Sequence, residues 1–190
     1  MSRLEWLDAL PVDQARAELL RCCGSQAWAH AMAEKRPFAS EAALTTQADD
    51  VWWSLAPSDW LEAFAAHPRI GDTGEASGTD SGKAGRSDRG GGLERTEAAD
   101  WSRQEQAGVA DAAEATRNRL ATANREYEAR FGYIFIVCAT GRTAATMLDL
   151  LERRLRNDPA LELGVAAEEQ RKIIRLRLAK LVGTEQVTTT

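Results

Sequence analysis

One histidine stands out for the chemistry of its neighbours. His67 begins the run His67-Pro68-Arg69-Ile70-Gly71-Asp72, directly after the apolar helical stretch Trp60 to Ala66. Proline disfavours helical geometry in the residue before it, so the helix should stop at His67 and present the imidazole at a carboxyl end. The partial negative charge there favours imidazolium, whereas Arg69 disfavours it; the sequence leaves the net sign open. An imidazole tuned in this way suits proton transfer near neutral pH. A lone histidine is more often structural, and His30, in a helix among alanines, reads that way. Pro68, Arg69 and Gly71 shift the balance for His67, since together they demand one backbone path and set a cation beside the ring. With 2 histidines in the chain, a multi-histidine metal site is excluded.

Two further clusters carry polar groups at useful spacing. Trp101-Ser102-Arg103-Gln104-Glu105-Gln106 places Glu105 three residues after Ser102, the pattern of a capping box at a helix start. The same residues can present a carboxylate from Glu105 and an amide from Gln106 to a polar ligand. Ala139-Thr140-Gly141-Arg142-Thr143 follows an apolar run and opens a helix. That is either an ordinary helix entry with a solvated arginine or an anion site with Arg142 as a bidentate clamp. Gly78 to Ala84 has the look of a phosphate loop, but the spacing is one residue short, no Ser or Thr follows Lys83, and no strand precedes it.

The elements that must position these groups are mostly helical. Apolar residues recur at helical spacing through residues 2–10 (Leu4, Leu7 and Trp6 inward), 13–23, 26–34, the Trp52-Trp53 stretch after Ser40, and the Trp60 segment. They do so again through 97–130, as one or two helices with Trp101, Val109, Leu120 and Tyr127 inward, then through Met147 to Leu155 and 161–181. Pro11, Gly24, Pro37, Pro57 and Asn157-Asp158-Pro159 punctuate them. Phe131 to Ala139 is apolar, β-branched and aromatic, the best strand candidate; without a second strand to pair with, it reads as a short extended segment or part of a buried helix. Residues 73–92, rich in Gly, Ser and Asp, read as a flexible loop suited to covering a site. The expectation is an all-α, single-domain multi-helix bundle over residues 1–190.

Bulk properties narrow the function. A net charge of -5, with bases scattered among acids, argues against nucleic acid or an anionic membrane as the main partner. No apolar run is long enough to span a bilayer. The adjacent Cys22-Cys23 and the isolated Cys138 read as reduced thiols, and the acidic N-terminus does not suit a signal peptide. A cytoplasmic protein is expected.

In order and content, His67-Pro68-Arg69-Ile70-Gly71-Asp72, Ser102-Arg103-Gln104-Glu105-Gln106 and Phe131 through Thr143 resemble the 2-oxo-4-hydroxy-4-carboxy-5-ureidoimidazoline (OHCU) decarboxylases of uric acid degradation. The resemblance extends over nearly the whole chain, through Trp52-Trp53, Asn124/Tyr127/Arg130 and Glu169 to Ile173. It implies an all-helical, cofactor-free, usually dimeric enzyme that converts OHCU to (S)-allantoin and carbon dioxide. By the family's pattern His67 is the catalytic acid/base and Pro68 shapes the pocket. Ser102, Glu105 and Gln106 bind the polar edges of the substrate, with Glu105 sharing in catalysis. The backbone of Phe135, Ile136, Val137, Cys138 and Ala139 hydrogen-bonds the ring and ureido groups, and Arg142 holds the anion. Two other readings stay open from the residues alone: a helical binding module for a ureide or purine derivative, and a cofactor-free hydrolase of a related cyclic ureide.

Overall fold

A computed structural model describes residues 1–69 and 96–183, with the helical backbone alone described over 96–113. Among the described residues there are eight α-helices and no strand: α1 (Arg3–Ala9), α2 (Val12–Cys22), α3 (Gln26–Glu34), α4 (Glu41–Ser54), α5 (Pro57–Ala65), α6 (Thr96–Phe131), α7 (Ala144–Arg154) and α8 (Pro159–Val182). The all-α expectation holds. The Gly-rich loop expected at 73–92 lies outside the described residues.

The helix boundaries follow the local chemistry. Ser25, Ser40 and Thr143 each accept a hydrogen bond from a backbone N–H in the first turn of the helix they precede, which satisfies a donor the helix cannot. Pro159 opens α8 behind the Asp158 cap, at the one helical position where a missing N–H costs nothing. Residues 97–130, expected as one or two helices, form the single helix α6. The capping box read at Ser102 and Glu105 is therefore overturned. Both residues lie inside α6, past its start at Thr96, where backbone donors are already taken by the helix.

Two apolar clusters organise the interior. In the larger, α1 to α5 pack on α8 through Leu7, Leu19, Trp28, Met32, Leu44, Trp52, Phe64, Ile174 and Leu178. In the smaller, Leu120, Ala123 and Tyr127 of α6 pack on Leu151 of α7; their i, i+3, i+7 spacing lays one stripe along α6. Indole N–H groups tie helices together across the larger cluster: Trp28 donates to the Ala48 carbonyl at 3.1 Å and Trp52 to the Ala167 carbonyl at 3.0 Å. On the outer side Asp49 of α4 is clamped by Arg171 and Arg175 of α8. Of the other tryptophans, Trp53 is exposed and stacks edge-on against Trp60.

Phe131 to Ala139, the strand candidate, is neither strand nor helix beyond Phe131. It is an extended segment that runs between the two clusters. Ile136 is buried in the larger cluster, while Phe135 and Val137 are buried in the smaller one. Successive side chains of an extended chain point to opposite sides, so one short segment fills both cores. The turns that enter and leave it hold Gly132 at φ 79° and Gly141 at φ 75°, a conformation that other residues adopt only with strain.

Trp52→Phe removes the α4–α8 indole bond along with side-chain volume at a fully buried position. We expect a loss of about 1–3 kcal/mol in urea unfolding; an unchanged midpoint contradicts this assignment.

Candidate active site

His67 sits where the sequence led, just beyond α5. Ala66 caps that helix, and the His67 N–H donates to the Phe64 carbonyl at 3.1 Å. The same junction is crowded from below: a Cβ on Gly24 would lie 2.3 Å from the Ala66 Cβ, so only glycine lets the α2–α3 turn support the end of α5. The imidazole is half-buried and lines a cavity of about 270 Å³, together with Leu61, Ala65, Arg69, Glu128 and Gly132 to Ile134. Arg69 makes a two-pronged ion pair with Glu128 of α6, at 2.7 and 2.9 Å. The guanidinium holds the Glu128 carboxyl below its usual range.

The sign left open by the sequence is fixed here. Burial pushes the His67 pKa below its ordinary value, and the Arg177 guanidinium on α8 pushes it further; a Gln170 amide beside the ring offsets this only in part. Arg69, expected to lower the pKa, is occupied by Glu128 and does not contribute. The helix-end effect does not prevail over desolvation. At neutral pH the resting ring is the uncharged imidazole.

The extended segment is held by groups for which the sequence supplied no role. Arg154 of α7, only 4% exposed, donates from Nη1 to the Ile136 carbonyl at 2.8 Å. It is paired at 2.6 Å with Glu162 of α8, which is itself fully buried. Glu162 also accepts from the Tyr127 hydroxyl and from the Asn157 amide. Two residues along the segment, the Cys138 N–H donates to Glu169 of α8 at 2.8 Å. Burial raises the Glu169 pKa, but the Lys172 ammonium and the Cys138 N–H outweigh it, and the net shift is downward. Arg142 folds back, its Nε donating to the Cys138 carbonyl and its N–H to the Ala139 carbonyl, both at 3.0 Å.

The site residues expected from sequence are therefore placed unevenly. His67 lines the cavity beside Tyr133 and Ile134, the start of the extended segment. Pro68 is exposed next to it. Backbone groups of Ile136, Cys138 and Ala139 are partly committed to Arg154, Glu169 and Arg142, whereas the N–H and C=O of Val137 have no partner among the described residues. Pro68, Phe135 to Ala139 and Arg142 are not among the residues that line the His67 cavity; of the expected site residues whose side chains are described, His67 alone lines it. Ser102, Glu105 and Gln106 lie on α6, and their side chains are outside the described residues. The sequence carried no signal for the anchoring pair, because Arg154 and Glu162 lie among other charged helix residues and their burial shows only in the packing.

Residues 8–179 match the family model described as OHCU decarboxylase. The chain belongs to the OHCU decarboxylase family. It is 43% identical over 161 residues to the uric acid degradation bifunctional protein TTL of Arabidopsis thaliana, covering 84% of this chain and 45% of that protein. It is also 43% identical over 82 residues to the 2-oxo-4-hydroxy-4-carboxy-5-ureidoimidazoline decarboxylase of Amia calva, covering 42% of this chain and 45% of that one. These matches each span less than half the length of the relative. A crystal structure of an OHCU decarboxylase in the presence of (S)-allantoin superposes with a TM-score of 0.65 at 35% identity, over 88% of this chain and 98% of that one.

In this family member the lowered His67 pKa has a thermodynamic consequence. Folding disfavours the imidazolium, so the contribution is fully favourable above the ordinary value of 6.5 and is lost as pH falls from there through the folded pKa. Wild type should lose stability over that window, and a His67→Asn variant should lose less; parallel curves for the two proteins contradict the assignment. Arg154→Met leaves Glu162 buried without its cation and the Ile136 carbonyl without its donor. We expect a loss of about 3–5 kcal/mol in chemical unfolding.

Proposed function

We propose that this protein decarboxylates OHCU to (S)-allantoin and carbon dioxide in urate breakdown, and that residues 1–190 act as one decarboxylase domain. The family match over residues 8–179 carries the reading; a cavity lined by an uncharged, half-buried histidine supports it.

The chemistry suits the residues. When carbon dioxide leaves, the bonding pair forms a carbon–carbon double bond and displaces the conjugated C=N pair onto the ring nitrogen, which takes a proton from solvent, so the substrate itself absorbs the electrons. The enol left behind becomes the ketone by losing its hydroxyl proton and gaining one on the neighbouring carbon. A neutral His67 takes up the first proton and returns one to a single face of that carbon, which sets the S configuration. Ser102, Glu105 and Gln106 hold the hydroxyl and N–H edges, Pro68 shapes the pocket, and Arg142 swings from the Cys138 carbonyl to receive the anion. Backbone groups between Phe135 and Ala139 read the ring and ureido groups, with Val137 offering both a donor and an acceptor. The active form is a homodimer in the cytoplasm, with no resident cofactor. Among the described residues no helix is long and apolar enough to cross a membrane.

OHCU generated in situ from urate gives the decisive test, since uncatalysed decay yields racemic allantoin. A rapid circular dichroism signal of (S)-allantoin is expected with wild type, reduced about 10²–10⁴-fold by His67→Ala. Slow racemic product with both proteins overturns the reading in favour of a ureide-binding module. Because the neutral imidazole starts the proton transfer, kcat/KM should fall as pH drops through the lowered His67 pKa; an acid limb that is level, or that survives unchanged in a residual-activity variant at His67, contradicts that role.

A further inference from the structure

Three polar atoms beside the cavity are sealed from solvent and make no hydrogen bond among the described residues: Nε2 of His67, and both Oε1 and Nε2 of Gln170. Gln170 is fully buried on α8, next to the Glu169 that anchors Cys138. Buried amides left unpaired are costly, and native interiors hold few of them. Here the orphaned groups adjoin. The Gln170 carboxamide lies near enough to the ring to favour its protonated form, yet no bond of good geometry closes between them.

We propose that Gln170 is a positioning residue for His67: its Oε1 accepts the Nε2–H, which fixes the neutral imidazole as the Nε2–H tautomer and leaves the Nδ1 lone pair facing the cavity. This deepens the acid/base role given to His67 above and rests on that reading for its functional meaning. An amide is the fitting side chain. A carboxylate at the same place would trap the imidazolium, and a leucine would leave Nε2 buried with no partner. The other groups around the ring do not compete for Nε2. Arg177 on α8 is a cation and acts only to favour the neutral form. Arg69 and Glu128 at the cavity wall are engaged with each other. The Tyr133 hydroxyl of the extended segment, also buried, makes no hydrogen bond to the ring among the described residues.

The test is long-range ¹H–¹⁵N NMR on the full-length, ¹⁵N-labelled protein across a pH titration. Because the chain has 2 histidines, His30→Asn assigns the His67 signals. In wild type the Nε2–H tautomer should dominate above the titration midpoint. Gln170→Leu should mix the tautomers and lower the midpoint; Gln170→Glu should raise it by about one pH unit or more. The acid limb of kcat should move with the midpoint in each variant while KM changes little, a pattern that mere loss of packing would not give. Gln170→Met replaces the leucine variant should that one fail to fold. An Nδ1–H tautomer in wild type, or an unmoved midpoint in the folded variants, overturns the proposal. The titration needs no substrate. The expected spectra without (S)-allantoin formation would remove the decarboxylase reading and leave the tautomer assignment standing; enantioselective turnover with unmoved spectra would do the reverse.

Discussion

A buried arginine holds the central segment in place. Chain that is neither helix nor sheet has no partner of its own for backbone N–H and C=O groups, and in an interior those groups must find one. Between Gly132 and Gly141 the polypeptide runs extended through the middle of the molecule with no neighbouring strand. Arg154 answers the Ile136 carbonyl and Glu169 the Cys138 N–H. Arg154 can be there only because Glu162 is there too, with Tyr127 and Asn157 completing the carboxylate's bonds. Such a network contributes little net stability compared with an apolar core. What it secures is a backbone held straight, with Val137 polar groups left over.

The catalytic candidate is governed by desolvation. A ring at a helix carboxyl end, judged by that feature alone, should be a readily charged acid. The structure buries it against α8 under the field of Arg177, and the neutral form prevails. Such a group starts as a base and becomes an acid only after it has taken a proton from the ligand. That order suits a reaction in which one substrate atom loses a proton and its neighbour gains one.

Much of this was legible in the residues. Ser40 ahead of α4, the proline and glycine breaks and the apolar stripes placed α1 to α5, α7 and α8 closely, because those signals are local. The break at Ser102 and Glu105 misled because a capping pattern inside a long helix has the same letters as one at its start. The extended segment's lack of a partner strand was foreseeable by elimination; its anchors were not, since Arg154, Glu162 and Glu169 lie in helices where charged residues are ordinarily solvated. Only three-dimensional packing shows that these charges are turned inward. The Gln170 amide, too, is unremarkable in sequence and stands out only once it is seen to be buried.

The two anchors of the extended segment come from different helices and grip backbone atoms two residues apart. The number of residues between those two atoms is therefore fixed, apart from any demand on the side chains. An exchange at the exposed Ala139 leaves both grips in register, whereas inserting or deleting one residue between Ile136 and Cys138 would break the spacing, so that only one of the two grips could be kept. Variation in this segment would proceed by substitution alone, with changes of loop length confined to other parts of the chain.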